Sequence, residues 1–220
     1  MSLKEQLRLL SDMDGVWAHS QPPIIETFNK RFGTNLTYSD WTTFGLLTLE
    51  AVRLSGESIP VVAAWLYSEE VMRNSKVVPG ANDAIKVLAS IVKSNEITTS
   101  RPSAQASMTH EWVKENLPEI DRVYIRGEQD STLKGDQFKI AMIGELEANI
   151  HIEDDPSVIM AVYELLLEGK LPFLKSAILV DRPWNDKVIL PEVIKRVGNW
   201  REEDYGWDEI VQIVQKLANL

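Results

Sequence analysis

"LRLLSDMDGVWAHS", residues 7–20, runs from an apolar stretch into Asp12 and Asp14, one residue apart, and then into a glycine turn at Gly15. Its first half, 7–12, has the short apolar make-up of a buried strand. Similar segments recur at 96–100 (EITTS), 122–126 (RVYIR), 149–153 (NIHIE) and 177–181 (AILVD). Helical patterns separate most of them. "ANDAIKVLASIV" follows Pro79-Gly80, "SAQASMTHEWVKENL" stops at Pro118, and "FKIAMIGELEA" leads into the fourth strand. "PSVIMAVYELLLEG" opens with a proline in the first turn and closes on Gly169, a plausible C-cap. A last helix near 207–218 carries Trp207, Ile210, Val211, Val214 and Leu217 at helical spacing. This alternation predicts an α/β fold, a doubly wound parallel sheet covered on both faces.

One interval breaks the rhythm. Between residues 17 and 78 no strand pattern occurs, yet "PPIIETFNKRFG", "WTTFGLLTLEAVRLSG" and "SIPVVAAWLYSEEVMRN" read as helices. Helices inserted after the first strand predict a small helical cap subdomain at 17–78 over the open end of a core built from 1–16 and 79–220.

Composition sets further bounds. The chain has 220 residues, long enough for one α/β domain with an insertion, and no cysteine, which excludes disulfides, thiolate nucleophiles and cysteine metal sites. Its longest apolar runs, such as "IPVVAAWLY", fall far short of the roughly 20 residues a membrane helix needs, and no signal-peptide pattern opens it. The expectation is a soluble, cytoplasmic protein without a membrane partner. With 23 basic against 33 acidic residues and no basic block, a surface for a nucleic-acid polymer is not expected. A small anion can still bind, because local amides or a metal ion override the net field.

In a parallel sheet, ligands sit at the carboxyl ends of the strands, where Asp12 and Asp14 fall. Two carboxylates bent around Gly15 can work on one centre, one holding a divalent cation and attacking while the other passes a proton; Mg²⁺ would offset their repulsion. An acidic turn capping the next helix is the alternative. "EITTSRP" ends a strand with Thr99 and Ser100, whose hydroxyls and amides suit a phosphoryl oxygen or an ordinary helix N-cap. "FKIAMIGELEANIHIEDDP" places a lysine ahead of Glu153, Asp154 and Asp155, either a hard-cation site or a solvated turn. "AILVDRPWN" puts Asp181, Arg182, Trp184 and Asn185 after the last of these strands, in a functional loop or a rigid one packed on its tryptophan.

In this order, the segments resemble the haloacid-dehalogenase-like (HAD) hydrolase superfamily over essentially the whole chain. "TSRP", "IEDDP" and "LVDRPWN" followed by "RVGNW" look most like its 5'(3')-deoxyribonucleotidase type with a helical cap. The resemblance implies that Asp12 is a nucleophile forming an aspartyl-phosphate and a Mg²⁺ ligand. Asp14 would be the general acid and base, with its backbone carbonyl on the metal. Thr99, with Ser100 beside it, would bind the phosphoryl group. Lys139 is the preferred phosphate-binding lysine and Lys134 its alternative; Glu153 and Asp154 are the preferred metal-site acids, with Asp155 in reserve. An acid two residues after the nucleophile suits proton donation to a leaving alkoxide, which a dehalogenase does not need.

The implied substrate is a small phosphorylated metabolite, foremost a (deoxy)nucleoside monophosphate. Another ester such as a sugar phosphate, and a catalytically silent phosphate-binding module, are the other readings. Trp17, Phe44, Trp65 and Tyr67 are aromatics that could stack on a base or simply fill the helical core. Within "DWTTFG", Phe44 and Trp41 are the first choices for cap residues that meet substrate, since a polar, glycine-ended stretch suits a cleft better than "VVAAWLY".

Overall fold

The computed structural model describes residues 7–219, so residues 1–6 and 220 of the expected core lie outside the described part. The chain opens with β1 (Arg8–Ser11) and, after one tight turn, enters β2 (Ala18–His19). Four helices follow: α1 (Gln21–Phe32), α2 (Leu46–Ser55), α3 (Ile59–Leu66) and α4 (Glu69–Arg73). The chain then returns through β3 (Lys76–Val77). Beyond it come α5 (Ala81–Ile91), β4 (Ser94–Thr99), α6 (Ala106–Asn116), β5 (Arg122–Ile125), the single turn α7 (Arg126–Gln129) and α8 (Gly135–Glu145). β6 (Ile150–Glu153), α9 (Pro156–Leu167), β7 (Ser176–Val180), β8 (Ile194–Val197) and α10 (Trp207–Ala218) complete it.

Six strands form one sheet in the order β5-β4-β1-β6-β7-β8, every adjacent pair parallel. The apolar runs are explained by burial on both faces. Leu9, Ile150, Ile152, Ile178 and Val180 enter a cluster with Ile85 and Leu88 of α5 and Ile210 and Val214 of α10. Leu10, Ala177 and Leu179, one residue out of phase, enter a second cluster with Phe138, Met142, Val158 and Val162 of α8 and α9. Period-two side chains thus feed two cores, and alternation vanishes from the strand sequences.

α9 ends as its sequence suggests. Gly169 takes φ 69°, its N–H reaches the Leu166 carbonyl at 3.0 Å, and the Lys170 N–H reaches Leu165 at 2.9 Å.

The interval 17–78 is helical apart from its ends, which corrects the expectation that it contains no strand. β2 and β3 pair antiparallel, Ala18 opposite Val77 and His19 opposite Lys76, so the insertion leaves and re-enters the core side by side. Two residues per strand are too few to show a period. The stretch read as one helix at 58–74 is two, because the Ser68 hydroxyl accepts from the Val71 N–H and starts a new first turn. These helices bury a third cluster, including Ile24, Phe28, Leu47, Val62, Leu66 and Met72, which also takes in Met108 of α6 and Trp184. β8 was not read from the sequence; it is an edge strand whose Lys195 is exposed. No helix among the described residues is long and apolar enough to cross a membrane.

On β2, burial and the neighbouring Arg182 guanidinium push His19 down to about 4. The folded protein keeps this ring neutral while the unfolded chain protonates near its ordinary pKa of about 6.5, so stability is intact above 6.5 and declines as pH falls toward 4. Unfolding free energies from urea titrations at pH 7.0 and 4.5 should differ more for the wild type than for His19→Gln, by on the order of 2 kcal/mol after allowing for the ring's partial exposure. Equal differences in both proteins would refute the assignment.

Candidate active site

The carboxyl ends of β1 and β6 meet α8 at one buried cluster, with the end of β4 beside it. Asp12 follows β1 directly, its N–H bonded to the Ile152 carbonyl of β6 at 2.8 Å, and only 5% of its surface is exposed. Lys139, on the inner face of α8, places Nζ 2.9 Å from Asp12 Oδ1 and 3.0 Å from both carboxylate oxygens of Glu153. Glu153 is fully buried, and its Oε1 also accepts the N–H groups of Asp154 and Asp155 at 3.1 Å each. Asp12, Glu153 and Asp154 each offer an oxygen within 4.8 Å of the others.

The electrostatics of this group are unbalanced. Burial, then the Glu153 charge, push the Asp12 carboxyl well above its usual range, with Lys139 opposing. Burial, then the Asp12 and Glu153 charges, do the same to Asp154. Burial alone would also raise Glu153, but Lys139 at contact distance outweighs it and holds this carboxylate low. Burial would likewise lower Lys139, yet the charges of Asp12 and Glu153 keep its ammonium well above the usual range. Three buried carboxylates face one ammonium, so two negative charges lack a partner. Hard oxygen donors with that residual charge are suited to a divalent cation.

Asp14 stands apart from the three acids. Both of its oxygens are taken by Arg101, Nε to Oδ2 at 2.9 Å and Nη2 to Oδ1 at 2.6 Å. Arg101 was not singled out in the sequence, where "TSRP" marks it only as a charged residue at a strand end. Ser100 is exposed and lines the cavity described below, whereas Thr99 is buried, its Oγ1 accepting the Arg101 N–H at 3.4 Å.

Two alternatives fall away from the cluster. Lys134 is exposed at the residue preceding α8, and Asp155 caps α9, its Oδ1 accepting from the Ser157 N–H at 2.8 Å and hydroxyl at 2.7 Å. The loop after β7 is the rigid one. Trp184 Nε1 and Asn185 Nδ2 donate to the Asp154 carbonyl at 3.1 and 2.9 Å, and buried Arg182 donates through Nε to the Gly15 carbonyl at 2.8 Å. It braces the segments that carry the acids.

Above the cluster lies a cavity of about 790 Å³, within the range of small-molecule sites. Asp12, Asp14, Lys139, Asp154, Ser100 and Arg101 face it from the sheet; Gln21, Ile24, Trp41, Phe44, Ala64 and Tyr67 face it from the inserted helices. Phe44 is 55% exposed, while Trp41 is buried to 7% and packs against Trp184 with ring centroids 5.8 Å apart. Trp41 therefore belongs as much to the helical core as to the cavity wall. Trp17 is fully buried under the sheet end, its Nε1 donating to the Ser11 hydroxyl at 2.6 Å, and Trp65 packs beneath Arg31 at 4.3 Å.

A family described as 5' nucleotidase, deoxy (pyrimidine), cytosolic type C protein matches residues 6–206. No curated protein sequence matches the chain. Among solved structures, one assigned as a β-phosphoglucomutase from Thermotoga maritima is 14% identical, covers 96% of this chain and 99% of its own, and superposes with a TM-score of 0.58. The magnesium-bound HAD-hydrolase YfnB from Bacillus subtilis is 14% identical over 95% and 98%, with a TM-score of 0.59. One assigned as a phosphoglycolate phosphatase from Haemophilus somnus is 11% identical over 96% and 99%, with a TM-score of 0.62. At such identities the likeness is one of fold, that of a HAD-like α/β core.

Gly15 has φ +82°, and a Cβ there would lie 2.0 Å from Asp154 Oδ2. Gly15→Ala should cost ~1–2 kcal/mol in backbone strain alone, a fall in Tm of roughly 2–8 °C, and displace the Asp154 carboxylate. If a divalent cation binds between Asp12 and Asp154, it should raise the Tm of the wild type and not that of Gly15→Ala. Calorimetry with and without Mg²⁺ checks both, and an unshifted Tm with retained cation response would contradict this close approach.

Proposed function

The chain belongs to the 5' nucleotidase, deoxy (pyrimidine), cytosolic type C family, phosphoric monoester hydrolases of the HAD-like superfamily, and from that premise we propose that it is a Mg²⁺-dependent 5'-nucleotidase acting through an aspartyl-phosphate. The observation that carries this reading is the set of three buried carboxylates around one lysine on the floor of a large cavity. Asp12 and Asp154 are the side chains that would hold the cation, and Asp14 is assigned to it through its backbone carbonyl. Glu153, tied up by Lys139 and two amide N–H groups, anchors the lysine more than it serves as a ligand. When bound, Mg²⁺ supplies charge neutralisation for the phosphoryl oxygens.

The remaining work falls to the chain itself. Phosphoryl transfer is catalysed chiefly by positioning and by stabilising charge on oxygens. An Asp12 carboxylate oxygen attacks phosphorus, the ester P–O bond breaks, and its electron pair leaves on the ester oxygen, which takes a proton from the Asp14 carboxyl. Asp14, now a carboxylate, takes a proton from the water that attacks the phosphorus of the aspartyl-phosphate; the P–Oδ bond breaks, releasing phosphate and restoring both side chains. Lys139 neutralises charge on the nucleophile and the transferring group, and Ser100, with the backbone at Thr99, contributes donors to the phosphoryl oxygens. The inserted helices 17–78 act as a cap that covers this site and meets the nucleoside, with exposed Phe44 offering a face for the base.

Asp12→Asn should keep the fold and lose turnover, because the amide is nearly isosteric but a poor nucleophile. Wild-type rates in a folded Asp12→Asn protein would eliminate the covalent route. Activity on a panel of phosphorylated metabolites should vanish with EDTA and return with Mg²⁺, with Ca²⁺ a poor substitute because its looser shell misplaces the reacting oxygens. Full activity after exhaustive chelation would count against the metal.

The two cap aromatics should separate. Phe44→Ala should lose about 1–3 kcal/mol in kcat/KM on nucleotides and little on p-nitrophenyl phosphate, by analogy with base stacking. Trp41→Ala should cost about 3–5 kcal/mol of stability, as for large buried side chains. Equal losses for Phe44→Ala on both substrates would remove the local support for a nucleoside.

A further inference from the structure

We infer that Arg101 is a positioning residue for proton transfer by Asp14, holding its carboxylate in the one orientation that serves the ester oxygen. This inference rests on the function proposed above and extends it to a residue that touches no reacting atom. Arg101 comes from the end of β4 and Asp14 from the turn after β1, and they meet as a two-pronged pair at 2.9 and 2.6 Å. The guanidinium is anchored from behind. Its Nη1 donates to the Thr109 hydroxyl of α6 at 3.1 Å, and that hydroxyl donates to the Gln105 carbonyl at 2.8 Å. The Arg101 side chain is 4% exposed and that of Asp14 27%, so the fork approaches from the protein side while the carboxylate keeps an open side. Both line the cavity beside Asp12.

The pairing has a geometric consequence. A carboxylate offers about four lone-pair sites, and a two-pronged guanidinium takes one on each oxygen. The remaining pair on each oxygen is then fixed in direction, and one such site must carry the proton that moves to the ester oxygen as the P–O bond breaks. Without the fork, the short side chain of Asp14 is free to turn about two bonds and spends less time aimed at that oxygen. A lysine supplies the charge but not the plane, so it cannot hold the carboxylate in the same way.

Leaving-group dependence tests this without relying on stability. Phenyl phosphate and p-nitrophenyl phosphate are similar in size, but phenolate is a poor leaving group that needs the proton and p-nitrophenolate is a good one that does not. In Arg101→Met and Arg101→Lys, kcat/KM, which reports the step that expels the leaving group and not the later hydrolysis of the aspartyl-phosphate, should fall about 10- to 100-fold on phenyl phosphate, the range of a misplaced general acid, and less than about threefold on p-nitrophenyl phosphate. Thr109→Val removes only the anchor and should shift the ratio of the two rates in the same direction by a smaller factor, so it carries the test if the arginine variants fold poorly. An equal fall in kcat/KM on both esters, no change in the ratio, or a rise in activity would overturn the inference while leaving the proposed function standing. Wild-type protein inactive on both esters and on nucleotides, with Mg²⁺ present, would overturn the proposed function and the inference with it.

Discussion

The ammonium of Lys139, wedged between Asp12 and Glu153, is the contact on which the functional end of the molecule depends. Bringing three carboxylates together away from water is strongly unfavourable unless cations and N–H donors compensate. Lys139 compensates in part, the amides of Asp154 and Asp155 do more for Glu153, and two charges remain. Such an excess of negative charge at the end of the central strands fits the cation of the proposed function, and stability alone does not account for it.

Much of the surrounding structure serves to keep those acids from separating. Strand β1 lies between β4 and β6, so the strand that ends at Asp12 is held by a ladder on both sides, and the Asp12 N–H itself bonds to Ile152 of β6. The backbone of Asp154 is gripped by Trp184 and Asn185, and that of Gly15 by Arg182, so the loop after β7 acts as a brace behind the site. Gly15 then lets the turn after β1 pass so close to Asp154 that no side chain fits between them. The two-residue ribbon of β2 and β3 ties both ends of the inserted helices to this same turn, placing the cavity roof over the strand ends.

How far these features could be read in advance depended on the length scale of the signal. A central strand such as "AILV" is plain because burial on both faces leaves an unbroken apolar run. β8 was missed because an edge strand with charged residues has no such run, and β2 and β3 because two residues carry no period. Of the two lysines at 134 and 139, spacing to the acidic strand favours Lys139 within the resemblance; in the structure α8 buries Lys139 against Asp12, while Lys134, at the residue before that helix, is exposed. Among the three consecutive acids, the end of β6 at Glu153 and the start of α9 at Pro156 sorted one to the lysine, one to the cavity and one to a helix cap.

By itself, the sequence determined the kinds and order of most of the longer elements, the parallel sheet, the inserted helices and the strand ends at which acids and hydroxyls cluster. These follow from local composition and periodicity, which neighbouring residues are enough to express. Only the tertiary structure decided that Arg101 clasps Asp14, that Trp41 is largely core while Phe44 is open, and that Glu153 faces Lys139 while Asp154 faces the cavity. Arg101 and Asp14 lie 87 positions apart, and their contact exists because β1 and β4 are neighbours in the sheet. Local patterning specifies which face of an element is buried; which side chains meet across the ends of different strands is set by sheet order and register.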